Sequence, residues 1–116
     1  MKISSLLLTL AAASVLSGCP TARRSEPVAG PFRPTDAALK RGEALFDRHC
    51  NKCHVNGEAG LGPGINDKPL PKFLMHTQVR VGMGAMPSFK SDEIAEDEVR
   101  LILDYLVALR RHRYGD

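Results

Sequence analysis

Cys50-Asn51-Lys52-Cys53-His54 spells C-x-x-C-H. Two thiols at this spacing can form thioethers with the two vinyl groups of one haem, and a histidine directly after the second cysteine is held beneath the ring to ligate iron. The competing reading, a thioredoxin-like dithiol, needs a βαβ context that the flanking residues do not supply. The motif therefore reads as the attachment site of one c-type haem, with Cys50 and Cys53 as the covalent points and His54 as an axial ligand.

Only one further cysteine exists, Cys19, so none is left for a disulfide. It closes Leu16-Ser17-Gly18-Cys19, which resembles a bacterial lipobox. Upstream, Lys2 precedes an apolar stretch over residues 3–16 that is too short to span a bilayer comfortably. The expected division is a lipoprotein signal peptide at 1–18, a lipidated Cys19 opening a tether at 19–34, and one folded domain at 35–116. The expected location is the cell envelope, facing the periplasm and held to the membrane through the lipid on Cys19. Pro20 in place of Asp after that cysteine leans toward the outer membrane. Residues 20–34 carry four prolines and the adjacent Arg23 and Arg24. Extended at about 3.1 Å per residue, they would reach roughly 45 Å.

Residues 35–116 suffice for one small domain and not for two. With no Trp and only 5% aromatic residues, a core made of protein alone would be marginal, and a buried porphyrin would supply much of the missing apolar surface. Losing Lys2 with the signal peptide lowers the formal net charge from +3 to +2, which two haem propionates would bring near zero, and nothing in it points to nucleic acid. The chain holds no internal repeat, no heptad array and no second C-x-x-C-H.

Around the motif, a helix is expected from an N-cap at Thr35 to about Cys50, with Leu39, Gly42 and Phe46 on one face. A glycine inside a helix costs up to about 1 kcal/mol against alanine, so Gly42 signals the close approach of another backbone or a large ring. The natural partner is a last helix over 96–111, where Val99, Ile102, Leu103, Leu106 and Leu109 form an apolar stripe. Glu96, Asp97 and Glu98 at its start and Arg110, Arg111 and His112 at its end complement the helix dipole. Residues 54–91 are loop-rich, with glycines at 57, 60, 62, 64, 82 and 84. A short helix over 72–81, following Pro69 and Pro71, is expected to turn Phe73, Leu74 and Val81 inward. Met75 would fill core, while His49, His76 and His112 read as surface residues.

The chain resembles a monohaem class I cytochrome c over nearly all of residues 35–112. The resemblance rests on the Gly42 to Phe46 spacing, the motif at 50–54, Gly62-Pro63-Gly64-Ile65, the run Val79-Arg80-Val81-Gly82-Met83-Gly84-Ala85-Met86-Pro87-Ser88-Phe89, and a terminal helix containing Tyr105 and Leu106. It implies an all-α fold of three or more helices around one covalently bound haem, the first and last helices crossing at Gly42 and Tyr105. It also implies His54 as the proximal ligand, Met86 as the distal one, and the carbonyl of Pro63 as the hydrogen-bond partner that orients His54. A thioether is a soft ligand that favours ferrous iron, so this pairing raises the reduction potential. Met83 and His76 are the rival distal ligands.

The function expected on these grounds is single-electron transfer by a lipid-anchored envelope cytochrome, without enzymatic activity or a small-molecule substrate. Its partners would be redox proteins of the periplasm or cell envelope. Lys52, Val55 and residues 57–62 would rim the exposed haem edge. The alternatives are a haem-based gas or redox sensor and a small haem enzyme of peroxidase type. The sensor needs a distal Met that leaves readily, and the enzyme needs an open iron position or a second haem together with acid-base groups over the distal face.

Overall fold

A computed structural model describes residues 30–68 and 70–114. The expected signal peptide, Cys19 and the tether up to residue 29 lie outside the described residues. Among the described residues three α-helices follow in order, α1 (Ala37–His49), α2 (Lys72–Val81) and α3 (Glu96–Tyr114), with a short 3-10 turn at Val55–Gly57. Among the described residues there is no β-strand, and the fold is all-α as expected. A lone antiparallel bridge joins Met83 to Met86.

The N-cap of α1 is Asp36 rather than Thr35. Its carboxylate accepts from the backbone N–H of Ala38 and Leu39, at 2.9 and 3.0 Å. A carboxylate makes the stronger, charge-assisted bonds and brings a negative charge to the positive helix end, so it displaces a neighbouring hydroxyl from this role.

The two outer helices cross at Gly42, which is buried. A Cβ there would strike the Leu101 carbonyl oxygen and lie 2.9 Å from the Tyr105 Cβ. Helix backbones come this close only where one side chain is missing. Around the crossing, Leu45 and Phe46 of α1 meet the predicted α3 stripe, all of whose members are buried. The Phe46 and Tyr105 rings stand 5.6 Å apart and tilted. Burial pushes the Tyr105 phenol up to about 12, with Glu43 and Asp47 adding to the shift. The ring therefore stays neutral and works as an apolar wedge.

α3 continues to Tyr114, past the predicted end at 111. Arg113 and Tyr114 both reach the carboxylate of Glu58. That tertiary bond gives the last turn a partner which apolar periodicity cannot reveal. The chain ahead of α1 also docks on this helix. Phe32 lies 5.9 Å from the Tyr105 ring and 5.3 Å from that of His112, and Pro34 is buried.

α2 spans the expected residues, but its roll differs. Met75 is buried and Val79 packs on the core, whereas Phe73, Leu74 and Val81 are exposed. The cause is polar. Lys72 pairs with Asp104, and His76 and Arg80 both pair with Glu96. Residues at 72, 76 and 80 recur every fourth position, so they form one row facing α3 and bring Met75 and Val79 in beside them. A reading of apolar positions alone misses this row, because its members are polar.

Candidate functional site

α1 stops where the cysteine motif begins. Cys50 caps the helix with its N–H on the Phe46 carbonyl, and the N–H groups of Cys53 and His54 both turn back to the Cys50 carbonyl, at 3.1 and 3.0 Å. This tight turn leaves Cys50 half-buried, Cys53 exposed and His54 buried, and both thiols are free. Burial, reinforced by Cys53, pushes the Cys50 thiol up to about 11. Cys50 also caps a helix C-terminus, whose dipole disfavours a thiolate. Dithiol oxidoreductases depend on the reverse, a thiol lowered at a helix N-terminus. The thioredoxin-like reading therefore lacks both its fold and its electrostatics.

His54 Nδ1 lies 2.8 Å from the Pro63 carbonyl oxygen. A carbonyl only accepts, so Nδ1 carries the proton and donates, and Nε2 keeps its lone pair for a metal. The loop that brings Pro63 there is closed by the Gly62 N–H on the Cys53 carbonyl at 2.8 Å. A Cβ on Gly62 would sit 2.5 Å from His54 Cε1. Only a bare backbone lets the loop lie against the imidazole at this point.

Asn66 and Glu58 complete this loop and carry no signal in the sequence. Asn66 is buried, and its side-chain N–H2 donates to the Asn56 carbonyl at 3.0 Å and to Glu58 at 3.3 Å. Asn56 itself is left-handed, with φ 53°. Through Glu58 the cysteine loop is tied to the last turn of α3.

Met86 sits on a second loop, between α2 and α3. It is half-buried and Met83 is exposed, and the two exchange backbone hydrogen bonds of 3.0 and 3.1 Å. The turn needs positive φ at Gly82 and Gly84, 75° and 59°. The rival His76 is engaged elsewhere, its Nε2 being 3.0 Å from Glu96. Hydrogen bonds from His76 and then from Arg80 hold the Glu96 carboxyl below its ordinary value.

These residues fit a covalently held haem. Two free thiols and an imidazole with its Nε2 lone pair available stand in one turn, and the chemistry of this donor set is that of haem c. Leu61, Leu74, Val81 and Met83 present exposed apolar surface on the segments around the two loops, surface of the kind that a porphyrin covers.

Residues 37–106 match the family model described as cytochrome c oxidase, cbb3-type, subunit III. Among curated relatives, the chain is 31% identical over 74 residues to the cytochrome c subunit of 4-cresol dehydrogenase (hydroxylating) from Pseudomonas putida, covering 64% of this chain and 65% of that protein. It therefore spans a little under two thirds of this relative's length. It is 31% identical over 75 residues to cytochrome c6 of Microcystis aeruginosa, covering 58% of this chain and 91% of that protein. With cytochrome c6 of Gracilaria tenuistipitata var. liui it shares 28% identity over 79 residues, 61% of this chain and 72% of the other. No solved structure gives a significant match. A helical fold closed by α1 on α3, a haem-type donor set at the end of α1 and a family match over most of the folded residues agree, and the chain belongs to this family of cytochrome c domains, which carry haem c covalently and transfer electrons.

Proposed function

We propose that this chain is an electron carrier of the cell envelope, lipid-anchored at Cys19, with haem c bonded to Cys50 and Cys53 and its iron between His54 and Met86. The observation that carries the reading is the 2.8 Å bond from His54 Nδ1 to the Pro63 carbonyl. It fixes the tautomer and orientation a proximal ligand needs. Haem supplies reversible one-electron chemistry, ferric to ferrous.

The chain's own residues hold that centre still. His54 is buried and its ring is held by Pro63, so it would present Nε2 to the iron in one orientation. Met86 is fixed within its turn by the paired bonds to Met83. Its soft sulfur would favour ferrous iron when it holds the group. No acid or base is required at the metal, because no bond to a substrate is made. Partners are redox proteins, met in brief contacts with small, wet interfaces. Lys52 and Val55 are both exposed on the cysteine loop and form the rim where such a partner would approach. The dehydrogenase relative, a cytochrome subunit by name, supports partnership with an oxidoreductase, while the cytochromes c6 support a free carrier.

Protein made with the c-type maturation machinery should gain the mass of one haem and keep its colour through acid-acetone extraction. The Cys50→Ser, Cys53→Ser double variant should lose both. Absence of a haem adduct on the parent overturns the reading. For the anchor, Cys19→Ser should abolish fatty-acid labelling and release a soluble domain into the periplasmic fraction; unchanged labelling refutes lipidation while leaving the haem assignment standing.

A further inference from the structure

Residues 82–88 form an excursion from the end of α2 that returns at Phe89. The return is fixed on both sides of one residue. The Phe89 N–H donates to the Val79 carbonyl at 2.9 Å, and the Phe89 carbonyl accepts from Arg80 Nη1 at 3.2 Å. The same nitrogen reaches the Ile94 carbonyl at 2.9 Å. Nη2 donates to Glu96 at 3.0 Å, the carboxylate that also holds His76. Ile94 is buried, and the Arg80 side chain is only 18% exposed.

One planar guanidinium thus gathers two carbonyls, from the near and far parts of the α2–α3 connection, and the first residue of α3. This is the task to which arginine is suited and lysine is not. A rigid fork serves several acceptors at once, whereas an ammonium is a point charge on a flexible stem.

We infer that Arg80 is the positioning residue for Met86, closing the base of the loop that carries it. The inference rests on the proposed role of Met86 as distal ligand. An iron–thioether bond is readily replaced by stronger field ligands when the loop opens, so the opening equilibrium governs how fast an external ligand enters. Removing Arg80 leaves the Phe89 and Ile94 carbonyls without this donor and weakens the closed state.

The test uses ferric holoprotein, the far-red sulfur-to-iron band and the rate of imidazole binding. The parent should show the band and bind imidazole slowly. Arg80→Met should bind it about tenfold faster, with a weakened band, and Arg80→Lys should fall between the two. Lys72→Met removes an equal charge from the same helix, along with its pair to Asp104, and should leave the rate unchanged. A parental rate in Arg80→Met, or an equal acceleration in Lys72→Met, overturns the inference. Where Arg80→Met gives no holoprotein, Arg80→Lys and Glu96→Gln should each accelerate binding about threefold, and parental rates in both overturn it equally. A parent without the far-red band refutes Met86 as ligand and this role with it, whereas a parent that keeps the band beside an unaltered Arg80→Met refutes the role of Arg80 alone.

Discussion

Ferric Met86→Ala protein should lack the far-red sulfur-to-iron band, and its midpoint potential should fall by on the order of 0.1–0.3 V, a fraction of the roughly 0.8 V that axial ligation spans. Both follow from losing a soft sulfur that stabilises ferrous iron. The vacated side should also admit cyanide in the ferric state and carbon monoxide in the ferrous state at least about a hundredfold faster, because the proposed ligand no longer excludes them. Met83→Ala keeps the band, since that exposed residue contributes mainly backbone bonds to the turn. His76→Ala keeps it too, its imidazole being spent on Glu96. Optical titration of the three variants decides among the ligands: loss of the band in Met83→Ala with retention in Met86→Ala reverses the assignment, and a spectral change only in His76→Ala makes the site bis-histidine. Rapid ligand uptake by the unmutated ferrous protein would favour a sensor or enzyme.

Gly42→Val should destabilise the folded domain by about 3 kcal/mol or more, a large share of the ~5–15 kcal/mol that holds an ordinary domain together. The added carbons have nowhere to go. Even a bare Cβ meets the Leu101 carbonyl and the Tyr105 Cβ, and both belong to the backbone or its first carbon, so no rotamer change relieves the clash. α1 must lift from α3, and the Phe46–Tyr105 contact goes with it. Denaturant unfolding of the holoprotein measures the effect, and an unchanged midpoint would mean the helices do not meet at this glycine.

The parts of this molecule that were legible in its sequence are those where one residue type answers one physical demand. Gly42 announced a close approach inside a helix, and the structure supplies the Leu101 backbone as its neighbour. The α3 stripe announced a buried face because apolar side chains recurred at helical spacing, and all its members are buried. The two thiols and the histidine announced their cofactor because few other chemistries need that spacing. What stayed hidden depends on partners far away in sequence. The roll of α2 is set by charges on α3 that its own apolar pattern cannot sense. Likewise, the last turn of α3 and the cysteine loop are joined through Glu58, and an isolated Asn66 in a glycine-rich stretch gives no hint that it is buried and bonded there. The helix start moved by one residue because Thr35 and Asp36 are both capable caps, and only geometry chooses between them.

The Gly30 carbonyl lies 2.8 Å from His112 Nε2, so the chain enters the domain beside the place where α3 is about to leave it. Entry and exit through one doorway make the domain portable. It can be carried as an insert within a host loop without stretching either junction, in the way domains with adjacent ends are generally spliced into others. The same arrangement decides how the fold meets force. A pull on the leading segment is delivered first to the Gly30–His112 bond and then to the Phe32 contacts on Tyr105 and His112, on the helix that α1 crosses. Tension therefore tests the helix pair before it reaches the loops on which the cysteines, His54 and Met86 stand.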